Sequence, residues 1–339
     1  MPFKIFGAAL DALDDPERVE LKQAYLQAAA SGWLPPELPL DPYDILAPLL
    51  ADRYGEAMRF CGKLELPGWL TPRPPVQDAC LVRSESYRHF LDDDGVGIYA
   101  EACARYVERH IFPDIPCLIS VDHGMTAGPL EALSRRFDPR ETTVVVIDSH
   151  FDAIPAHLRS LPGLESFTCG SRNCGSFLTA LIDAGAVLPE NLFVVGVSDY
   201  AWPGTAEPYR RAYLAQMERG VTVITRAEVE EESFAGDLQR RLRNSRGSRL
   251  YVSLDADAGA LRCMNAVRFL DTVGMSEESI IDLAGLLRGL VDEGRFELIG
   301  LDAAEMDVHL VGIEDEQGLP DRTVEVCADF LTTLMRIDA

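Results

Sequence analysis

From residue 115 onward, short continuous apolar runs alternate with longer stretches that read as helices. Strands are predicted over 116–123, 142–150, 191–200, 221–229, 249–257 and 296–305. Helices are predicted over 126–137, 173–185, 208–220, 234–244, 276–294 and 321–336. Strands that are apolar on both faces and separated by helices imply a parallel sheet covered on both sides. The first third is less regular. A strand is predicted over 3–10, then a helix over 15–30, with Asp15 as N-cap and Pro16 in its first turn. Residues 32–45 and 66–78 are proline-rich connections, and helices are predicted over 45–60 and 95–110. No internal repeat or low-complexity tract interrupts the 339 residues, so one α/β domain with an embellished region over 20–110 is the simplest organisation.

Bulk chemistry narrows the function classes. Hydrophobic residues make up 47%, enough for a large core, yet no run of about 18 uncharged apolar residues predicts a membrane span. The first twenty residues carry acids and lack the order of a secretion signal, so a cytoplasmic protein is expected. Eight scattered cysteines form no C-x-x-C pair, which fits reduced, buried thiols. Fifty-five acids against 31 bases give a net charge of −24, which argues against nucleic-acid binding and suits a cationic small substrate. The basic run 240–246 reads as a solvated helix end.

The strand ends carry the candidate chemistry. In parallel sheets, ligands bind beyond the carboxyl ends of the strands. One strand here runs into Asp122-His123, the next into Asp148, His150 and Asp152, a third into Asp255 and Asp257, and a fourth into Asp302 and Glu305. Alternate residues of an extended chain share a face, so Asp148, His150 and Asp152 project together, as do Asp255 and Asp257. Crowding these carboxylates at the end of a buried sheet costs several kcal/mol unless cations compensate. Four aspartates and two histidines, with no matching thiolate, suit two divalent ions. Oxygen and imidazole donors favour Mn²⁺, with Fe²⁺, Co²⁺ or Zn²⁺ as alternatives. Such a pair, bridging one water, would give a hydroxide nucleophile near neutral pH.

These segments resemble the ureohydrolases, the arginase–agmatinase family. "SVDHGMTAGP", "IDSHFDA" and "SLDADAG" are similar, in order and spacing, to that family's three metal-binding motifs over about 115–310. The resemblance implies the three-layer α/β/α arginase fold with a mostly parallel central sheet. It implies two Mn²⁺ per chain: His123, Asp148, Asp152 and Asp255 or Asp257 on one, His150 with shared aspartates on the other. It implies hydrolysis of a guanidino carbon to urea and an amine, and a trimer or hexamer. "GLDAAEMD" resembles the family segment whose glutamate faces the guanidinium, which makes Glu305 the substrate anchor; a carboxylate takes a guanidinium in a bidentate pair.

The sequence departs from the pattern in places. Ser120-Val121 stand where two glycines are usual and Gly124 where serine is usual. Cys174, beside Asn173, replaces the histidine that arginases carry as proton shuttle, and His157 in the preceding long loop is a candidate substitute. Asp199 resembles the acid that reads the substrate's α-amino group. The polar run that grips a free amino acid is missing after Asp152, where residues 151–165 are largely apolar. A substrate other than free arginine is therefore expected: agmatine, a guanidino acid, guanidine, or arginine within a peptide. A non-catalytic metal-binding member and a deacetylase on the same fold are the alternatives.

Overall fold

The computed structural model describes residues 2–336 apart from 14, 36, 56–57, 159–171, 315–317 and 319. Strand β1 (Phe3–Ala8) leads into α1 (Pro16–Ala30) and α2 (Pro42–Tyr54). Both helices start as their sequences require: an aspartate cap, Asp15 or Asp41, accepts a backbone N–H from three residues on, and proline follows at the first turn. Strand β2 (Arg59–Lys63), α3 (Ser84–Asp92) and α4 (Gly95–Tyr106) follow, and a wider helical turn carries α4 on to Ile111. The chain then alternates: β3 (Ile115–Ser120), α5 (Ala127–Arg136), β4 (Thr142–Ile147), α6 (Phe177–Asp183), β5 (Leu192–Val197), α7 (Glu207–Arg219) and β6 (Thr222–Thr225). It ends with α8 (Arg226–Val229), α9 (Phe234–Asn244), β7 (Arg249–Asp255), α10 (Glu277–Asp292), β8 (Glu297–Ala304) and α11 (Thr323–Met335).

All eight strands form one parallel sheet, ordered β2-β1-β3-β8-β7-β4-β5-β6. Residues alternate between its faces. Val145 and Ile147 join α9, α10 and α11 in one core; Val144 and Val146 join α5, α6 and Tyr213 of α7 in another. A third cluster packs α3 and α4 under β1 and β3. Helices therefore cover both faces, giving the three layers expected.

Three readings of the first subsection change. Residues 59–60, read as the end of a helix, begin edge strand β2, which pairs with β1 alone. Residues 226–229, read as strand, form the short helix α8, because Thr225 and Glu228 cap each other's backbone N–H groups. Helix α3 was not foreseen at all. Residues 56–57 of the former helix reading lie outside the described residues.

The strand order is what builds the site. Although β7 and β8 come last in the chain, they insert between β3 and β4. The four acid-bearing strand ends thus become neighbours. Register completes the alignment: Ile147 lies opposite Leu254, Asp255 opposite Ala304, and Ile119 opposite Ala303.

Candidate metal centre

One local device recurs at three strand ends. Asp122 Oδ1 accepts the Gly124 N–H at 2.8 Å, Asp148 Oδ1 the His150 N–H at 2.6 Å, and Asp255 Oδ1 the Asp257 N–H at 2.8 Å. Each aspartate turns its own chain with one oxygen and has the other left over. In Asp148 and Asp255 the turn thus leaves a second oxygen for the candidate metal clusters, whereas that of Asp122 faces Arg268.

The leftover oxygens of Asp148 and Asp255 converge on His123. His123 Nδ1 lies 3.3 Å from Asp148 Oδ2, 3.1 Å from Asp152 Oδ2 and 2.9 Å from Asp255 Oδ2. A second cluster shares Asp148 and adds His150 and Asp257, with His150 Nδ1 at 2.8 Å from Asp257 Oδ2. Of the two aspartates left open by the sequence, Asp255 clusters with His123 and Asp257 with His150. All six groups are buried.

The residues behind the site fix the His123 tautomer. Tyr251 and Ser253, both on β7, donate to Asp302 on β8, at 2.5 and 2.6 Å. Ser253 Oγ has thus committed its one proton, and at 2.9 Å from His123 Nε2 it must accept from that nitrogen. Nδ1 of the neutral ring is left with a lone pair, facing three carboxylates. The Asp148 Oδ2 atom makes no hydrogen bond despite full burial. A lone pair and unshared carboxylate oxygens within 4.8 Å of one another are what a divalent cation needs, so the donor set fits one ion per cluster.

The electrostatics of the bare protein show the same demand. Burial and then Asp152, Asp255 and Asp257 push Asp148 well above the usual carboxylate range. Burial and Asp257 push Asp255 up to about 7, against the pull of His123. Burial alone would raise Asp257 too, but His150 and Ser149 outweigh it and hold it ionised. Burial depresses both histidines, yet Asp255 for His123 and Asp257 for His150 override it and raise them well above the ordinary value.

His150, Asp152, Asp255 and Asp257 open onto a cavity of about 610 Å³. Its inner wall holds Asp122, Asn173, Cys174, Arg268 and Glu305. Its outer wall comes from the opposite end of the chain: Ala12, Leu13, Arg18 and Leu21, in α1 and the segment before it, face Leu270 and Leu310. Leu21, together with Leu91, brings part of the region 20–110 to the cavity wall.

Glu305 sits at the end of β8 with φ of 65°, a left-handed conformation uncommon outside glycine and often kept at functional sites. Its backbone is pinned from both sides, its N–H to Val121 O at 3.1 Å and its carbonyl by Arg268 N–H at 3.0 Å. Oε1 accepts from His123 N–H at 2.9 Å and Arg268 Nη1 at 3.1 Å. Oε2 is buried without a hydrogen bond. Burial, opposed by Arg268, holds Glu305 well above the usual range. The Cys174 thiol is also driven well above its ordinary value, by burial and by Asp122 and Glu305, and so keeps its proton near neutral pH.

Two expected substrate residues fall elsewhere. Asp199 is not among the described cavity-lining residues; its oxygens accept the Phe151 N–H at 3.0 Å and the Tyr209 hydroxyl at 2.7 Å, which ties β5 to the loop after β4. His157 lies exposed on the turn Ala156–Leu158, also away from the described wall. The apolar run after Asp152 continues into residues outside those described. Arg268 and Ser253 carried no signal in the sequence, whereas Asp302 stood out only as the acid ending "ELIGL".

A family model described as the arginase family matches residues 87–335, and the chain belongs to that family. Its members are hydrolases acting on C–N bonds of linear amidines. Among solved structures, the arginase of Bacillus caldovelox is 16% identical, with 98% of this chain and 97% of that one covered and a TM-score of 0.60. Proclavaminate amidino hydrolase from Streptomyces clavuligerus is 16% identical over 99% and 92%, with a TM-score of 0.58. Formimidoylglutamase from Bacillus subtilis is 13% identical over 99% and 87%, with a TM-score of 0.61. No curated protein sequence matches the chain.

Proposed function

We propose that the chain is a two-metal hydrolase that cleaves a guanidino group, releasing urea and an amine, with a substrate other than free arginine. The observation that carries this reading is the pair of clusters sharing Asp148. His123, Asp148, Asp152 and Asp255 would hold one ion, and Asp148, His150 and Asp257 the other. Mn²⁺ suits the oxygen and imidazole donors best. Bound ions supply Lewis acidity and lower the pKa of water.

The chain's own residues do the rest. Glu305 Oε2, buried and without a donor, accepts an N–H of the amidine. His150 is held in place by Asp271, whose Oδ1 lies 3.1 Å from Nε2. Cys174, a protonated thiol on the wall, is available as a hydrogen-bond donor and is a poor proton carrier. Leu13, Leu21, Leu270 and Leu310 favour an aliphatic tail over the polar end of a free amino acid.

The test is urea release by the Mn²⁺-loaded protein from arginine, agmatine, a guanidino acid, guanidine and an arginyl peptide. Urea from one member other than free arginine supports the reading. Silence from all five with both sites filled rejects it.

A further inference from the structure

Arg268 lies in a loop between β7 and α10, and no motif marks it. It is 5% exposed and lines the cavity. Its Nη1 lies 3.1 Å from Glu305 Oε1, 3.3 Å from Asp122 Oδ2 and 3.3 Å from the Val121 carbonyl oxygen. Its Nε stands 3.5 Å from Asp11 Oδ1, and Asp11 is paired in turn with Lys22 at 3.0 Å. Three buried carboxylates thus face two buried cations.

The contact with Glu305 is one-pointed. An arginine and a carboxylate ordinarily meet through two parallel N–H···O bonds. Here Glu305 Oε2 and Arg268 Nη2 are both buried and both lack a hydrogen bond; Arg268 Nε also lacks one but faces the Asp11 carboxylate. A buried donor and a buried acceptor left open each destabilise the site until matched. A plain guanidinium offers only donors. It satisfies Oε2 and leaves Nη2 unmatched. It also meets a carboxylate already engaged by a resident guanidinium.

We propose that Arg268 is the specificity-determining residue of the cavity: Glu305 Oε2 takes an N–H of the substrate's amidine group while Arg268 Nη2 takes an oxygen acceptor lying within a few bonds of it. This rests on the reading of the cavity as an amidine site. The substrate class is then a guanidine or amidine carrying a nearby carboxylate or acyl oxygen, and a simple alkylguanidinium is disfavoured. The remaining cationic wall residue apart from His150, Arg18, is committed to Asp307 and to the Arg268 carbonyl oxygen. Among the described wall residues, Arg268 is therefore the one guanidinium with an open donor.

The test compares two probes of one size class, methylguanidine and guanidinoacetate, by calorimetric binding to the full-length Mn²⁺-loaded protein. The natural protein is expected to bind guanidinoacetate at least about tenfold more tightly, a difference of about 1.4 kcal/mol. Arg268→Met should abolish that preference. Methionine leaves Asp11, Asp122 and Glu305 facing Lys22 alone. If that variant does not fold, Arg268→Lys carries the test, since lysine keeps the charge but has no second nitrogen to reach the acceptor. An unchanged preference in the folded variant, or no preference in the natural protein, overturns the proposal. Urea release is read separately: no urea from any substrate with the binding preference intact rejects the amidine hydrolase reading and leaves the assignment of Arg268 standing.

Discussion

Ser253 Oγ stands 2.6 Å from Asp302 Oδ1 and 2.9 Å from His123 Nε2, so β7 and β8 together set which nitrogen of His123 faces the carboxylates. Ser253→Ala should leave the fold intact and lower metal affinity roughly 10–100-fold, the usual effect of losing a group that orients a metal-binding histidine. Metal titration followed by calorimetry measures it. An unchanged affinity would mean that packing alone orients the ring.

Asp148 is the one side chain common to both clusters. Asp148→Ala should take metal content from about two ions per chain to fewer than about one, with hydrolysis falling roughly a thousandfold or more. Elemental analysis and a urea assay report the two effects independently. Retention of both ions would contradict the shared site.

The bare protein should lose stability as pH rises. Asp255, with a folded pKa of about 7, and Asp148, also raised, bind more protons folded than unfolded. Their penalty grows as pH climbs through the interval between the unfolded and folded values. His123 and His150 act in the same direction: raised above the ordinary value, they contribute stability that is full below about pH 6.5 and lost as they deprotonate. The metal-free melting temperature should therefore fall between about pH 5 and pH 8, and Mn²⁺ should raise it more at the upper end. A flat or rising profile for the metal-free protein would refute this.

Asp199 accepts from the Phe151 N–H and the Tyr209 hydroxyl, away from the described cavity wall. Asp199→Ala should cost about 1–3 kcal/mol of stability by leaving those donors unmatched. KM should stay the same. Denaturant unfolding beside steady-state kinetics separates the two, and a KM effect without destabilisation would restore the residue to substrate binding.

The six clustered side chains were legible as candidates because their signal is local. Asp148, His150 and Asp152, or Asp255 and Asp257, sit at alternate positions after an apolar run, and alternation in a strand fixes direction. The parallel sheet was legible for the same reason. Edge strand β2 was not: Arg59–Lys63 is short and mostly polar, packs on one neighbour only, and follows a helix without an apolar break. Arg268 was beyond reach of pattern, because its meaning lies in a contact with Glu305, 37 positions away. Asp122 shows the limit well. It makes the same turn as Asp148 and Asp255, yet its second oxygen faces Arg268 and takes no part in either cluster.

Ala12, Leu13, Arg18 and Leu21 line the cavity, yet they precede the matched stretch that begins at residue 87. On the proposed reading, the wall that would meet the substrate's tail is thus split between two passages of the chain, with Arg268 and the candidate ligands inside the matched stretch and the leading segment outside it, so one part can drift while the other stays still. On that reading, a relative with the same candidate ligands but a different leading helix would be expected to accept a different tail. Exchanging that helix between relatives would be a direct way to redirect the reaction.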